Sequence, residues 1–160
     1  MTDFDIIVIG AGHAGCEAAA ASARMGVSTA LFTHKIQTIG EMSCNPAIGG
    51  LGKGHLVREI DAMDGVMGDI ADKSGIQFRL LNRSRGPAVR GPRTQSNRSL
   101  YKKYMQEKHV NYCNLCIYSD PVVKFIFKNN NINGFITQSG KEVKSSKIIL
   151  TTGTFLNGLI

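Results

Sequence analysis

The sequence has no long hydrophobic run, and this absence limits where the protein can work. Its longest uncharged stretch towards the C-terminal end, residues 148–160, has 13 residues and is rich in threonine and glycine. Such a stretch is too short and too polar to span a bilayer. The first residues enter a β-branched run with no basic segment before it, so we expect no signal peptide. We therefore predict a cytoplasmic protein with no membrane partner.

Cysteine is also scarce, and its spacing argues against a metal site. Without an export signal, the four cysteines are not expected to form disulfides. Cys113 and Cys116 form a lone C-x-x-C motif, and the sequence supplies neither a second pair nor histidines at the spacing of a structural zinc site. The motif also enters a predicted strand, whereas a thioredoxin-like motif opens a helix. We predict no metal ion and no redox function there.

Acidic residues are fewer than basic ones, 12 against 19, which gives a formal net charge of +7. The excess is concentrated in one stretch in which nine basic residues accompany a single acid, Glu107. The nine are Arg79, Arg83, Arg85, Arg90, Arg93, Arg98, Lys102, Lys103 and Lys108. Such a stretch can bind a polyanion, either nucleic acid or the phosphates of a cofactor.

The alternative interpretation of this stretch is a solvated helix face. It suits the three lysines, because they lie on a predicted helix over Asn97–His109. It suits Arg79 to Arg93 less well, because Gly86-Pro87 and Gly91-Pro92 predict a loop there. Both interpretations remain open at this point.

The most informative motif that is present begins directly after the apolar run Phe4–Ile9. It is Gly10-Ala11-Gly12-His13-Ala14-Gly15, followed by an alanine-rich segment that predicts a helix over residues 13–25. A G-x-G-x-x-G sequence at a strand-to-helix turn is typical of dinucleotide binding. The first glycine allows the tight turn, the second admits a pyrophosphate, and the third permits close packing of helix and strand. The helix N-terminus offers N–H groups to the phosphates.

Two further features favour FAD over NAD as the dinucleotide. A second predicted strand, residues 28–33, completes a βαβ unit, but Thr33 and His34 stand where an acid usually holds the ribose. Ile148 to Gly153 resembles the apolar strand and Thr-Gly exit of flavoproteins with two dinucleotide-binding domains.

The order of elements predicts an α/β fold with a Rossmann-like parallel sheet. A helix is predicted over about His55–Met63, followed by an irregular, partly helical piece to Gln77. A small antiparallel insertion is predicted next, and Lys147–Leu150 then returns as a buried strand of the main sheet. The predicted strands around the insertion are Leu115–Tyr118, Val122–Lys128, Asn133–Gln138 and Glu142–Lys144, with turns at Asn129–Asn131 and Ser139-Gly140.

The glycine-rich loop around Cys44 is a candidate site of chemistry. Gly52-Lys53 lacks the upstream glycine and the following Ser or Thr of a P-loop, so kinase or GTPase activity is not supported. Lys53 and His55 could stabilise a Cys44 thiolate if the loop folds back. The alternative is a buried, inert cysteine.

These residues resemble the MnmG (GidA) family over almost the whole chain. The loop Met42-Ser43-Cys44-Asn45-Pro46-Ala47-Ile48-Gly49-Gly50 is its most specific part. The other stretches that carry the resemblance are Asp5–Ala19, the rest of Gly40–Val57, Gly75-Ile76-Gln77-Phe78-Arg79, Gly86-Pro87-Ala88-Val89-Arg90 with Arg93-Thr94-Gln95, and Thr151–Gly158.

The resemblance implies an FAD-dependent enzyme that adds an aminomethyl or carboxymethylaminomethyl group at C5 of the wobble uridine in tRNA. It further implies NADH and a folate-borne one-carbon donor, a homodimer, and a heterotetramer with the GTPase MnmE. Cys44 matches a cysteine implicated in catalysis, and Val122 matches a backbone contact to FAD. The residues that match the FAD phosphate motif are Gly10, Ala11, Gly12, His13, Ala14 and Gly15.

The family's chain is several times longer than this one. Residues 1–160 match the N-terminal part of its FAD-binding domain, so we expect the nicotinamide-binding and C-terminal helical domains to be absent and the isolated chain to be inactive. Two alternatives stay open: a small-molecule FAD/NAD oxidoreductase that shares only the fold, and a non-enzymatic tRNA-binding module.

Overall fold

The structure, a computed structural model, describes residues 3–153. The stretch Thr151–Gly158 therefore lies partly outside the described residues. The described helices and strands, in chain order, are β1 (Ile6–Ile9), α1 (His13–Arg24), β2 (Thr29–Thr33), β3 (Ala47–Gly49), α2 (Lys53–Ala62), α3 (Val66–Ser74), β4 (Gly75–Leu81), β5 (Gly91–Ser96), α4 (Arg98–Val110), β6 (Leu115–Ser119), β7 (Val122–Lys128), β8 (Asn131–Thr137), β9 (Glu142–Lys144) and β10 (Ile148–Leu150).

The chain divides into two compact units. The first contains the described residues up to Ile39 and from Lys108 onwards, and the second contains Gly40–Glu107. In the first unit, a parallel sheet has the strand order β10-β1-β2-β6. Helix α1 connects β1 to β2, and Ile7 pairs with Ala30 and with Ile148. The predicted α/β fold with a parallel sheet is confirmed.

Burial differs across this sheet. All five residues of β2 are buried, as are the last three of β1, because strands flanked on both sides bury both faces. The prediction of a buried strand at Lys147–Leu150 is wrong in its burial. Strand β10 forms, but Ile149 and Leu150 are 36% and 50% exposed, since β10 pairs with β1 alone among the described strands.

The antiparallel insertion is also confirmed, as a sheet of order β7-β8-β9. Its first turn is tighter than predicted, because Asn129 and Asn130 take φ values of +50° and +61° and Asn131 already pairs with Lys128. Two consecutive residues of positive φ match the right-handed twist of a hairpin, and asparagine tolerates this conformation. Strand β8 therefore covers Asn131–Thr137 instead of Asn133–Gln138.

Aromatic rings pack the insertion against the parallel sheet. Phe135 of β8 is fully buried and meets Phe32 of β2 edge-on, with ring centroids 4.9 Å apart. Tyr118 of β6 stacks on the same Phe32 ring, with ring centroids 4.8 Å apart. The same core cluster includes Ile7, Ile9, Ala30 and Val143. The two sheets of the first unit therefore share one hydrophobic core.

The second unit contains a sheet that the sequence did not reveal, of order β3-β5-β4. The predicted loop over Arg79–Arg93 is wrong at both ends, because β4 and β5 are paired strands and Arg79 lies directly opposite Arg93. The Gly91-Pro92 turn signal was misleading because Pro92 lies inside β5, one residue before Arg93. The pairing of β5 with β3 stops at Arg93, so Pro92 has no partner in β3. The missing N–H of Pro92 therefore costs that strand pair no hydrogen bond.

Two helices precede these strands. Helix α2 begins at Lys53, two residues before the predicted start, and the stretch predicted as irregular and partly helical contains the regular helix α3. Both helices contact β5. No helix within residues 3–153 is long and apolar enough to cross a membrane.

We predict that Phe135→Ala lowers the free energy of unfolding by about 3–5 kcal/mol, because it leaves a cavity in the shared core. Urea unfolding of both proteins measures the difference. The matched control is Phe127→Ala on the neighbouring strand, where the ring is 65% exposed, and its expected effect is within about 0.5 kcal/mol. Equal losses in the two variants would contradict the assignment of the core.

Candidate functional site

The glycine turn between β1 and α1 is closed on its inner side. Gly10 has a φ of +101°, and its N–H donates to the Phe32 carbonyl at 2.8 Å. A Cβ at Gly15 would collide with the Gly10 carbonyl oxygen and approach the Thr151 Oγ1 to 2.7 Å. The predicted close packing of helix and strand at Gly15 is therefore confirmed.

The outer side of the same turn is open. Among residues 3–153, a Cβ at Gly12 would meet no atom within 4 Å, and Gly12 caps α1 with no side-chain hydrogen bond. The first turn of α1 contains no acidic residue. The N–H groups of the first helical turn, the positive end of the helix dipole and the space left by Gly12 together suit the pyrophosphate of a dinucleotide.

The carboxyl ends of the parallel strands bring other predicted residues to the same edge of the sheet. Gly10 follows β1, His34 follows β2, and Val122 comes three residues after the end of β6. Ligands of open α/β sheets bind at this edge. His34 is exposed, and its carbonyl accepts a hydrogen bond from the Ser119 hydroxyl at 3.2 Å. The ribose contact therefore remains without an acidic residue at that position.

The segment that leads to Val122 is clamped by Asp120, a residue that sequence reasoning missed. The Asp120 carboxylate accepts hydrogen bonds from the Ser139 hydroxyl at 2.6 Å and the Ser139 N–H at 3.2 Å. The Gln138 N–H donates to the Pro121 carbonyl at 2.7 Å, next to Val122. The hydroxyl of Ser139 is the main cause that lowers the pKa of Asp120, so the clamp favours the ionised carboxyl.

In the second unit, Cys44 lies in a loop and is exposed, so the alternative of a buried cysteine is wrong. The backbone of this loop is nonetheless held in place. Arg98 donates to the Cys44 carbonyl at 2.6 Å, and the Ser96 N–H donates to the Pro46 carbonyl at 2.7 Å. The thiol is therefore accessible while its main chain is anchored.

Cys44 opens on a depression of about 370 Å³ within the second unit. The residues around it are Cys44, Asn45, Ala47, Gly49, Gly50, Lys53, Leu81 and Arg93. The Lys53 amine donates to the Ala47 carbonyl at 3.3 Å. Burial lowers the pKa of Lys53, while attraction to a Cys44 thiolate acts in the opposite direction. The loop does fold back so that Lys53 lines the depression with Cys44, whereas His55 is not among the lining residues.

The nine basic residues separate into two groups. Lys102 pairs with Glu41 at 3.2 Å and Lys103 with Glu107 at 3.8 Å, which agrees with a solvated helix face. Within residues 3–153, no ion pair to an acidic side chain forms at Arg79 or Arg93. Sequence reasoning missed Arg93 and Leu81 as neighbours of Cys44, because their proximity depends on the pairing of β4 and β5.

The remaining cysteines form no cluster. Cys16 is buried and its thiol donates to the Ala11 carbonyl at 3.5 Å, whereas Cys113 and Cys116 are exposed. Within the described part of the chain, no group of three or more His, Cys, Asp or Glu residues is arranged to hold a metal ion.

Comparison with known proteins gives the family of this chain. Residues 5–160 match the model of the family described as glucose inhibited division protein A. The tRNA uridine 5-carboxymethylaminomethyl modification enzyme MnmG of Granulibacter bethesdensis is 56% identical over an alignment 160 residues long, which covers 98% of this chain and 25% of the relative. This chain therefore spans about a quarter of the length of that relative.

Solved structures agree with the sequence match. GidA of Aquifex aeolicus, in its form I crystal, is 52% identical, with a TM-score of 0.93 over 96% of this chain and 26% of that one. PqsL, a probable FAD-dependent monooxygenase from Pseudomonas aeruginosa, has a TM-score of 0.64 at 14% identity over 91% of this chain and 41% of its own, which is a likeness of fold alone. Because the family model covers nearly the whole sequence, this chain belongs to the glucose inhibited division protein A (GidA) family.

Proposed function

We propose that this chain is the flavin-binding portion of an enzyme that modifies uridine in tRNA. The observation that carries the proposal is the open face of the Gly10–Gly15 turn in a chain 56% identical to an enzyme named for this modification. In the complete gene product the reaction attaches a carboxymethylaminomethyl or aminomethyl group at C5 of the wobble uridine. NADH, a folate one-carbon donor, a homodimer and the GTPase MnmE belong to the same proposal, which places the enzyme in the cytoplasm.

FAD binding is assigned to the first unit. The N–H groups at the start of α1 hold the pyrophosphate, with Gly12 leaving room for it and Gly10, Ala11, His13, Ala14 and Gly15 shaping the turn. The backbone of Val122 contacts the cofactor at the same edge of the sheet. When bound, FAD supplies the redox chemistry of the reaction.

Cys44 is assigned the role of nucleophile. Its thiolate forms a bond to C6 of uracil, and the electron pair of the C5–C6 double bond moves to C5 and the adjacent carbonyl. C5 then bonds to the methylene carbon of the folate-borne C=N electrophile, and the π electron pair of that C=N bond moves to the folate nitrogen. A base takes the C5 proton, and elimination of the thiolate from C6 restores the C5–C6 double bond. An exposed thiol that lines the same depression as Lys53 supports this role, because a base can reach it there.

The function is tested by expressing the complete gene product in a bacterium that lacks its own family member. We expect mass spectrometry of tRNA nucleosides to show the modified uridine restored, whereas residues 1–160 alone restore none. Unmodified uridine with a folded, flavin-loaded complete protein would contradict the function.

Gly12→Ala is predicted to weaken FAD binding by about tenfold or more, because a methyl group would occupy the space left for the pyrophosphate. Titration followed by the flavin absorption band measures the affinity. Gly86→Ala is the control, since Gly86 also has a negative φ and, in the described part of the chain, no neighbour within 4 Å of a Cβ. An unchanged FAD affinity in Gly12→Ala would contradict the assignment of the phosphate-binding site to this turn.

Asp120→Asn is predicted to lower the thermal midpoint at pH 7 by about 2 °C, because the amide loses the charged hydrogen bonds to Ser139. The pKa of Asp120 is lowered by folding, so its contribution is present above the unfolded pKa of about 4 and is lost as the pH falls through the folded value. The difference between the two proteins should therefore shrink in acid. A constant difference from pH 7 to pH 3 would contradict the clamp.

Cys44→Ser is predicted to reduce uridine modification at least about a thousandfold in the complete protein, because a hydroxyl at neutral pH is a far weaker nucleophile. FAD binding, measured in the same preparation, should stay within about twofold of wild type. Cys113→Ser provides the matched control, since Cys113 is also exposed, and it should retain activity. Equal activity in both variants would exclude Cys44 from the chemistry.

A further inference from the structure

One face of the β3-β5-β4 sheet carries like charges that lack acidic partners. Arg79 and Arg93 lie directly opposite each other on the antiparallel pair β4–β5, so both side chains leave the same face. Like charges in this arrangement destabilise a sheet unless an anion lies against them. Neither guanidinium forms an ion pair with a carboxylate within residues 3–153.

The same face leads to Cys44. Leu81, two residues after Arg79, shares its side of β4, and Gly49 pairs with Arg93. Leu81, Gly49 and Arg93 all line the depression that contains Cys44 and Lys53. A row of three cations therefore ends beside the exposed thiol.

The glycines beside these cations pack closely against neighbouring backbone. Gly49 stands opposite Arg93 and Gly91 opposite Leu81. A Cβ at Gly91 would approach the Gly50 carbonyl to 2.7 Å, and one at Gly49 would collide with the Pro92 carbonyl. These contacts hold the loop after β3 against β5 and so fix Arg93 beside the depression.

Charge is also segregated along the second unit. Residues 79–98 contain six arginines and no acidic residue. Residues 59–72, which cover the end of α2 and most of α3, contain five acids, namely Glu59, Asp61, Asp64, Asp69 and Asp72. Cations that are separated along the chain from the acids in this way attract an extended polyanion.

We propose that Arg79 and Arg93 bind consecutive phosphates of the RNA strand that carries the target uridine, with Lys53 nearest the nucleotide at Cys44. The proposal rests on the proposed function, because it takes tRNA as the substrate. It assigns RNA contact to the strand arginines and not to Lys102 and Lys103, whose ammonium groups already pair with Glu41 and Glu107. Phosphates fix the position of the strand, while the thiol acts on the base.

The experiment measures tRNA binding by the complete gene product over a range of salt concentrations. On a single strand, each phosphate contact contributes about 0.7 to the slope of log K against log salt, and about fourfold in affinity at 0.15 M salt. We expect Arg79→Gln with Arg93→Gln to weaken binding about tenfold or more and to make the slope shallower by about 1.4.

Arg58→Gln is the matched control, because Arg58 is an exposed arginine of the same unit that lies on α2. It should change affinity by less than about twofold. Arg79→Lys with Arg93→Lys retains both charges and should retain most of the slope, which separates loss of contact from loss of structure. A double Gln variant that binds like Arg58→Gln would overturn the proposal.

The rate of Cys44 alkylation, measured by mass spectrometry, tests whether the bound RNA strand lies over the thiol. Bound tRNA should slow alkylation in the wild type, and at equal tRNA concentration it should slow it less in the double Gln variant. Protection by inorganic phosphate at the same concentration would instead assign the cations to a small anion and overturn the RNA contact. Failure of the wild type to bind tRNA at all would contradict the proposed function itself.

Discussion

The first unit depends on the close approach of three backbone segments at the glycine turn. Thr151 donates from its N–H to the Ile9 carbonyl at 2.8 Å, and its hydroxyl lies 2.9 Å from the Gly10 carbonyl. Gly15 packs against the same carbonyl, where no Cβ fits. A residue near the end of the described chain therefore fixes the turn near its beginning. Because the inner side is rigid, the open side at Gly12 keeps a constant shape for phosphate.

Close backbone contacts also hold the second unit together, next to the depression that contains Cys44. The Gly50 N–H donates to the Pro92 carbonyl at 2.8 Å, and Gly54 of α2 packs against that carbonyl. These contacts bring the start of α2 to the strands, and with it Lys53. Close backbone packing thus provides a phosphate-sized opening in the first unit and a cationic depression beside a thiol in the second.

The sequence predicted what depends on local signals. The G-x-G-x-x-G turn, the alanine-rich helix and the Asn-rich hairpin were recognisable because each is encoded by consecutive residues. The β3-β5-β4 sheet was missed because its pairing is non-local. Gly91-Pro92 signals a turn unless the neighbouring strand β3 ends before it reaches Pro92, as it does at Gly49 opposite Arg93. Arg93 and Arg98 near Cys44, and Asp120 before Val122, depend equally on contacts across the chain, so only the structure reveals them.

A nucleophile has to be accessible and yet held in position. In the loop at Cys44 the side chain provides the access and the backbone provides the anchoring. The exposed thiol can meet a base, while Arg98 holds the Cys44 carbonyl at 2.6 Å. Lys53 is constrained differently, because its bond to the Ala47 carbonyl orients the amine and burial lowers its pKa. A Cys44 thiolate would act on the pKa of Lys53 in the opposite direction. The loop therefore presents the thiol and the amine at one depression while backbone contacts hold both in place.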